Sequence, residues 1–201
     1  MNEKISVLLF DMGRVLVKID FDAFPNALGL QTIESREPYR QAAMKLEYLY
    51  ECGKITTEEF LDSLYAAFGS RFSREQLLDA YNEIIVEENT GILPLVQKAK
   101  GKYRIAVLSN TSEAHWKKSL ETAPMLQLFP ETFTSFQIGA MKPKAIVYET
   151  VIASLGVPAP SILFIDDVQE NIDGALACGM KGILYTTTAD LEQKMNGMNI
   201  W

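Results

Sequence analysis

The sequence predicts an α/β protein: a doubly wound parallel sheet with an inserted block of α-helices. Three short apolar runs carry the β-branched and aromatic residues typical of buried strands, and they span residues 6–10, 103–108 and 161–165. After residue 91, predicted helices alternate with continuously apolar strands, as in a parallel sheet. Residues 18–89, in contrast, are patterned as helices and contain no predicted strand, which indicates an insertion.

Three helices are predicted in the inserted block, because apolar residues recur there at spacings of three and four. The three helices span residues 42–50, 58–68 and 77–87. Thr56 or Thr57 caps the second helix. Ser73 and Gln76, three residues apart, form a capping box at the start of the third.

The remaining segments complete the predicted core. The core domain comprises residues 1–17 and 91–201, and the helical cap domain comprises residues 18–90. Lys142 and Pro143 begin a helix, since proline is favoured in the first helical turn. The other expected elements are a helix at 94–100, a helix capped by Thr111 or Ser112, a weak strand at 133–136, a helix ending near Gly179, a strand at 182–185 and a C-terminal helix from Thr188.

Composition indicates an ordinary globular protein. The chain has 201 residues, of which 48% are hydrophobic, enough for one sizeable core and a small accessory domain. The formal net charge is 19 − 26 = −7, and an acidic chain is a poor candidate for binding nucleic acid or an anionic membrane. We therefore expect no nucleic-acid and no membrane partner. No sequence pattern indicates an oligomeric state.

Cysteine usage predicts a reducing environment. Cys52 and Cys178 are far apart and form no CxxC pair, which argues against a disulfide framework or a zinc site and predicts a cytoplasmic protein. No signal-peptide pattern precedes the first strand, and no apolar run is long enough to span a bilayer. His115 is the one histidine, and a lone histidine in a helix is more often a surface or hydrogen-bonded side chain than a catalyst.

Polar side chains follow all three apolar runs. Asp11 follows the first run, Ser109 and Asn110 the second, and Asp166 and Asp167 the third. The C-terminal ends of parallel strands lie on one edge of a sheet, so these side chains are expected to meet there. Three carboxylates at one place would repel one another unless a cation lies among them. Oxygen ligands without Cys or His favour Mg²⁺ over Zn²⁺.

Lys142 adds a positive charge to this group. At ~4 Å and an effective dielectric constant near 20, a pair of unit charges is worth roughly 4 kcal/mol, enough to hold a phosphate and to keep an aspartate ionised. Ser109 offers a hydroxyl group as a further donor. The set fits nucleophilic attack by a carboxylate on the phosphoryl group of a small phosphorylated metabolite.

Four segments, in order, resemble the motifs of the haloacid dehalogenase (HAD) superfamily. They are residues 10–13, residues 108–111, Lys142–Pro143 and residues 164–180. The similarity covers nearly the whole chain, with the inserted helices in the position of a C1 cap. The chain is most similar to the branch of α-D-glucose-1-phosphate phosphatases and to the N-terminal phosphatase domain of soluble epoxide hydrolase.

The resemblance implies a HAD-like Rossmannoid core and a magnesium-dependent phosphatase. Its substrates would be small phosphomonoesters, such as sugar phosphates, hydrolysed through an aspartyl-phosphate intermediate. Asp11 would be the nucleophile. Ser109, with Asn110 beside it, would bind the transferring phosphoryl group, and Lys142 would stabilise charge on the nucleophile and the phosphate.

The resemblance also implies a set of metal ligands. Asp11 and the backbone carbonyl of Gly13 would bind Mg²⁺. Asp167 aligns with the family's metal-binding acid. Asp166 would be a further ligand, or would contact a ligand without binding the metal itself. Asn171 falls where many members carry another acid and would orient the ligands.

Gly13 departs from the family pattern. Most family phosphatases carry a second aspartate two residues after the nucleophile, which acts as general acid and then as general base. The similar branch shares the glycine. Loss of a general acid typically lowers the rate about 10²–10⁴-fold. Asp20 or Asp22 could supply a proton, although a solvated linker is the expected role of both.

Two alternative functions stay open. A dehalogenase of the same superfamily also uses a nucleophilic aspartate without the second acid, but it needs no metal. The pair Asp166–Asp167 argues against it, because two unpaired acids would repel an anionic substrate. A non-catalytic regulator would have kept the phosphate pocket and lost turnover together with the second acid.

Overall fold

A parallel sheet between layers of helices is the centre of the protein. The computed structural model describes residues 4–201, apart from the side chains of residues 38 and 41–44. The strands are β1 (Val7–Phe10), β2 (Val17–Ile19), β3 (Ile85–Glu88), β4 (Arg104–Ser109), β5 (Glu131–Thr134), β6 (Ile162–Asp166) and β7 (Lys181–Leu184). The α-helices are α1 (Ala23–Ala27), α2 (Ile33–Glu51), α3 (Thr57–Ala67), α4 (Arg74–Asn82), α5 (Leu93–Lys100), α6 (Glu113–Thr122), α7 (Ser135–Ile138), α8 (Ala145–Leu155), α9 (Gln169–Ala177) and α10 (Thr188–Gly197).

The sheet has the strand order β5-β4-β1-β6-β7, and all neighbouring strands are parallel. β1 is therefore the central strand and pairs with β4 on one side and β6 on the other. Phe10 lies opposite Val107 and Ile165, so the three strands end at the same edge. This arrangement confirms the predicted fold class.

Every residue of β1 is buried. Leu8 and Phe10 pack into a hydrophobic cluster that includes residues of α5, while Val7 and Leu9 pack into a second cluster that includes residues of α8. Alternate side chains of a strand point to opposite faces of its sheet. Burial on both faces explains why the strand sequence is apolar throughout.

Helices α1 to α4 pack around a third hydrophobic cluster, which is rich in aromatic side chains such as Phe24 and Phe60. Thr56 caps α3 and Ser73 caps α4, each by accepting a hydrogen bond from the third backbone N–H of its helix. Thr56 is thus the cap, and Thr57 is the first helical residue. The apolar spacing predicted at residues 42–50 falls in part on side chains outside the described residues.

The inserted block contains two strands, so the prediction of helices alone is wrong. β2 and β3 form an antiparallel ribbon in which Lys18 pairs with Glu87. The Lys18 ammonium lies 2.7 Å from the Glu87 carboxylate. The ribbon lies where the chain enters and leaves the helical block, while the division into domains of residues 1–17 with 91–201 and 18–90 stays a prediction.

The helix predicted from Leu77 to about Glu87 ends early. α4 ends at Asn82, and Ile85 begins β3. Residues 84–86 are all β-branched and favour a strand over a helix. A short apolar run of this kind fits either structure by its pattern alone, and pairing with β2 decides the outcome.

Two boundaries in the core also differ from the prediction. Pro143 lies outside α8, which begins at Ala145, because both backbone polar groups of Lys142 are bound by the side chain of Asn110. The strand predicted at 133–136 is shifted. β5 ends at Thr134, and residues 135–138 form a short helix instead.

The helical block contacts the core closely at the turn after α2. Gly53 has a positive φ of 61°, and a β-carbon at this position would lie 2.2 Å from the carbonyl oxygen of Phe136 in α7. Both the backbone conformation and the contact therefore require glycine. In the part of the chain that the structure describes, no helix is both long enough and apolar enough to cross a membrane.

Candidate active site

The ends of β1 and β6 bring three carboxylates together. Asp11 follows β1, Asp166 ends β6, and Asp167 follows it. One oxygen of each lies within 4.8 Å of the others. Asp11 and Asp166 are buried, and Asp167 is partly exposed. Their position follows from the register, because the backbone N–H of Asp11 donates to the carbonyl of Ile165 in the neighbouring strand.

Lys142 lies between two of these carboxylates. Its Nζ donates to Oδ1 of Asp11 at 2.6 Å, to Oδ2 of Asp166 at 2.7 Å and to the carbonyl of Leu108 at 3.1 Å. The ammonium group is buried, and its three donors are all used. Lys142 belongs to the segment before α8 and reaches back to the strand ends.

Burial and charge act in opposite directions on these groups. Burial raises the pKa of Asp11 to about 7, against the pull of Lys142 and with the help of Asp166 and Asp167. Burial alone would lower the pKa of Lys142, but the two carboxylates outweigh burial and raise it. The pKa of Asp167 is raised by burial and by Asp166.

One ammonium does not balance three carboxylates. Arg14 lies 3.6 Å from Asp167, but its side chain is 54% exposed, so solvent screens much of its charge. The arrangement leaves negative charge at the sheet edge and has only oxygen donors. A small divalent cation with a preference for oxygen fits this group of residues.

Asp166 is held in place by four hydrogen bonds. Asn171 Nδ2 donates to both of its oxygens at 3.0 and 3.1 Å. The backbone N–H of Val168 donates to Oδ1 at 2.8 Å, and Lys142 donates to Oδ2. In Asp11, by contrast, Oδ2 accepts no hydrogen bond from the described residues. That oxygen is therefore available to a metal or to an electrophile.

The end of β4 contributes Ser109 and Asn110. Ser109 is buried, and its hydroxyl group has only a long contact, 3.4 Å, to the carbonyl of Asn110. The Asn110 side chain accepts from the backbone N–H of Lys142 at 2.8 Å and donates to its carbonyl at 3.1 Å. Asn110 thus fixes the backbone that carries the Lys142 side chain.

A cavity of about 90 Å³ lies between this sheet edge and the helical block. The core contributes Gly13, Ser109 and Asn110 to its lining. The helical block contributes the side chains of Glu47 and Glu51 from α2. Sequence patterns did not point to these glutamates, although two like charges at i, i+4 are unfavourable in a helix and are a signal in themselves.

The other titratable side chains near the cavity are accounted for. His115 is buried, its Nε2 lies 2.8 Å from the carbonyl oxygen of Tyr81, and burial lowers its pKa to about 4. It is a neutral, hydrogen-bonded side chain, as predicted. Asp20 accepts a hydrogen bond from the backbone N–H of Asp22, and Asp22 pairs with Arg36. Both aspartates are exposed and neither lines the cavity.

Comparison with known proteins places the chain among enzymes with this architecture. A family model described as haloacid dehalogenase-like hydrolase matches residues 25–185. The match begins after β1, so Asp11 and Gly13 lie outside it.

Relatives with known activities match over nearly the whole chain. D-ribitol-5-phosphate phosphatase of Bacteroides thetaiotaomicron is 27% identical over 201 residues, which cover 95% of this chain and 97% of that protein. Drimenol cyclase of Aspergillus calidoustus is 25% identical over 96% of this chain. The match covers 36% of that cyclase, so the chain spans about a third of its length.

A solved structure supports the same relationship. The crystal structure of a HAD family enzyme from Bacteroides thetaiotaomicron, in complex with magnesium and inorganic phosphate, has a TM-score of 0.81 and 29% sequence identity. The superposition covers 90% of this chain and 94% of that one. At this coverage, the likeness includes most of the inserted block as well as most of the core.

Proposed function

Because the chain belongs to the haloacid dehalogenase-like hydrolase family, we propose that it is a magnesium-dependent phosphatase. It hydrolyses small phosphomonoesters, sugar or polyol phosphates among them, through an aspartyl-phosphate intermediate. One observation carries the proposal: the buried Lys142 ammonium bridges Asp11 and Asp166 beside a third carboxylate.

The residues present fit a magnesium ion. Asp11, the backbone carbonyl of Gly13, Asp167 and Asp166 would hold it. Asp11 and Asp167 have the more available oxygens, because those of Asp166 already accept hydrogen bonds. Bound magnesium supplies charge neutralisation for the nucleophile and the phosphoryl oxygens.

The reaction begins at the free oxygen of Asp11. That oxygen attacks phosphorus, and the bond to the leaving alcohol oxygen breaks as the new bond forms. Lys142 favours the ionised form of Asp11 and stabilises charge on the phosphoryl oxygens. Ser109 donates its hydroxyl group to one of those oxygens, and Asn110 keeps Lys142 in position.

Relatives support the substrate class. D-ribitol-5-phosphate phosphatase acts, by its name, on the phosphate of a small polyol. The sequence resemblance to α-D-glucose-1-phosphate phosphatases points to the same kind of substrate.

Gly13 favours a second candidate, a phosphate-binding regulator without turnover. The absence of the usual acid at this position is the observation behind it. A metal-independent dehalogenase is disfavoured by the Asp11, Asp166 and Asp167 cluster. Phosphate release and chloride release, each measured with and without a chelator, separate all three functions.

We expect purified protein with Mg²⁺ to release phosphate from a panel of sugar and polyol phosphates. Asp11→Asn should lower the rate at least about 10⁴-fold, because it removes the nucleophile. Its fold should persist, since Lys142 retains its bond to Asp166. The measurement is a phosphate-release assay with circular dichroism as the control. A folded Asp11→Asn variant with the wild-type rate would contradict the role of Asp11, and an inert wild type would contradict the proposed function.

A further inference from the structure

One carboxylate at the candidate active site has no part in the chemistry described above. Glu51 is the last residue of α2 and lines the cavity together with Gly13 and Ser109. We propose that Glu51 is the general acid and general base of the reaction, in place of the acid that is missing at Gly13. The inference rests on the proposed phosphatase function and names the residue that completes it.

The Glu51 carboxylate is free to act. No residue that the structure describes donates a hydrogen bond to it or forms an ion pair with it. Glu47, one turn earlier, instead accepts a hydrogen bond from the hydroxyl group of Tyr39. Of the two glutamates in the cavity, Glu51 is therefore the one whose oxygens remain available to a substrate.

The cavity brings Glu51 close to the reacting groups. Glu51, Gly13 and Ser109 line one and the same cavity of about 90 Å³. Gly13 and Ser109 form the wall from the sheet edge. A leaving group on a phosphoryl group bound there extends toward the helical block, where Glu51 lies.

The surroundings raise the protonated fraction of Glu51 near neutral pH. The titratable groups that face it are Glu47 and Tyr39 on the same helix, Tyr81 on α4 and His115 on α6. His115 is neutral, and no lysine or arginine is among the described residues that line the cavity. Burial and the charge of Glu47 raise the pKa of Glu51 to about 7. Such a group can donate a proton and take one back at physiological pH.

The two half-reactions balance with this assignment. Asp11 bonds to phosphorus while the bond to the leaving oxygen breaks. The proton of Glu51 passes to that oxygen, and a neutral alcohol departs. The Glu51 carboxylate then takes a proton from a water molecule whose oxygen attacks phosphorus. The bond to Asp11 breaks, inorganic phosphate leaves, and Glu51 is again protonated.

The leaving group provides the decisive test. Glu51→Gln keeps the shape of the side chain but cannot donate the proton. We expect kcat/KM for an alkyl phosphate to fall about 10²–10⁴-fold, while kcat/KM for p-nitrophenyl phosphate, whose leaving group needs no proton, changes little. Glu34→Gln, at an exposed position on the same helix and outside the cavity lining, is the matched control. It should keep the wild-type dependence on the leaving group.

The pH profile gives a second readout. For the wild type and an alkyl phosphate, kcat/KM should decline as the pH rises through about 7, because the protonated form of Glu51 is required. Glu47→Gln should move this decline to lower pH, since it removes a negative charge that raises the pKa of Glu51. Glu51→Gln should abolish the decline.

Several outcomes would overturn the inference. They are an equal loss with both substrates in folded Glu51→Gln, no loss with the alkyl phosphate, or a steep leaving-group dependence in the wild type itself. The last measurement needs no variant and so does not depend on the folding of one. If the wild type releases no phosphate from any ester, the proposed function fails. If it is active and Glu51→Gln matches it, only the role of Glu51 fails.

Discussion

Single residues behind Asp11, the proposed nucleophile, determine the geometry of the site. Asn171 donates to both oxygens of Asp166, Asp166 accepts from Lys142, and Lys142 donates to Asp11. Each of these hydrogen bonds has at least one charged partner, and such bonds are the stronger class in proteins. The position of the nucleophile thus depends on a residue that does not touch it.

Asn171→Ala should weaken Mg²⁺ binding about 10–100-fold, which is the usual cost of removing a partner behind a metal ligand. Asp166 would keep its hydrogen bonds to Lys142 and Val168 but lose the two from Asn171 Nδ2, so its carboxylate would be held less firmly. Isothermal titration calorimetry with Mg²⁺ measures the effect. Gln169→Ala, an exposed position on the same helix, is the control and should bind Mg²⁺ like the wild type. Equal Mg²⁺ affinity in both variants would show that Asn171 does not contribute to Mg²⁺ binding.

At the scale of elements, hydroxyl groups cap three of the inserted helices, α2, α3 and α4. Thr56 accepts a hydrogen bond from the backbone N–H of Glu59, and the Glu59 carboxylate accepts one from the backbone N–H of Thr56. Both bonds satisfy N–H groups that a helix start leaves unpaired. Glu51, the last residue of α2, lies five residues before this cap.

Thr56→Ala should lower the free energy of unfolding by about 1 kcal/mol, the typical value for an N-cap. Urea unfolding measures the change. Thr150→Ala is a matched control, because the Thr150 hydroxyl group bonds only to the carbonyl one turn earlier in its own helix and alanine is the better helix former. The control should be neutral or slightly stabilising. A loss of similar size in both variants would show that the cap has no special role.

The elements also show which features of the structure could be predicted from sequence patterns. The acids at the ends of β1 and β6 could be predicted because parallel strands end on one edge, whatever the details of packing. The ribbon of β2 and β3 could not, because residues 84–86 fit a helix or a strand until a partner strand is known. Glu51 could not be found either, since its place depends on how α2 packs over the sheet.

For Asn110, sequence patterns identified the residue but not its contacts. Its side chain was expected to bind the phosphoryl group, and in the structure it holds the backbone of Lys142. Asn110 and Lys142 are far apart in sequence, so no local sequence pattern predicts their contact. The same contact explains why α8 begins after Pro143.

At the scale of the whole molecule, the helical block approaches the core closely at Gly53, which lies against Phe136. Glu51 lies two residues before Gly53, so a shift at this contact moves the proposed acid relative to the sheet edge. Small displacements of reacting groups are costly in catalysis.

Gly53→Ala should therefore reduce both stability and kcat/KM for an alkyl phosphate. Gly69→Ala is the matched control, because Gly69 also has a positive φ, 58°, but its β-carbon would meet nothing within 4 Å. The control should show only the backbone strain of about 1–2 kcal/mol. Thermal unfolding and steady-state kinetics measure both variants. Equal effects in the two would mean that the contact with Phe136 has no influence on the site.

The central place of β1 has a consequence for synthesis on the ribosome. Val7–Phe10 is made before both of its neighbours, β4 and β6, and the second of these is complete only at Asp166. Until then, the most apolar strand of the sheet has at least one edge without a partner. Such edges favour aggregation of nascent chains. A chaperone that shields β1 would therefore protect the strand that precedes Asp11 until β6 has been made.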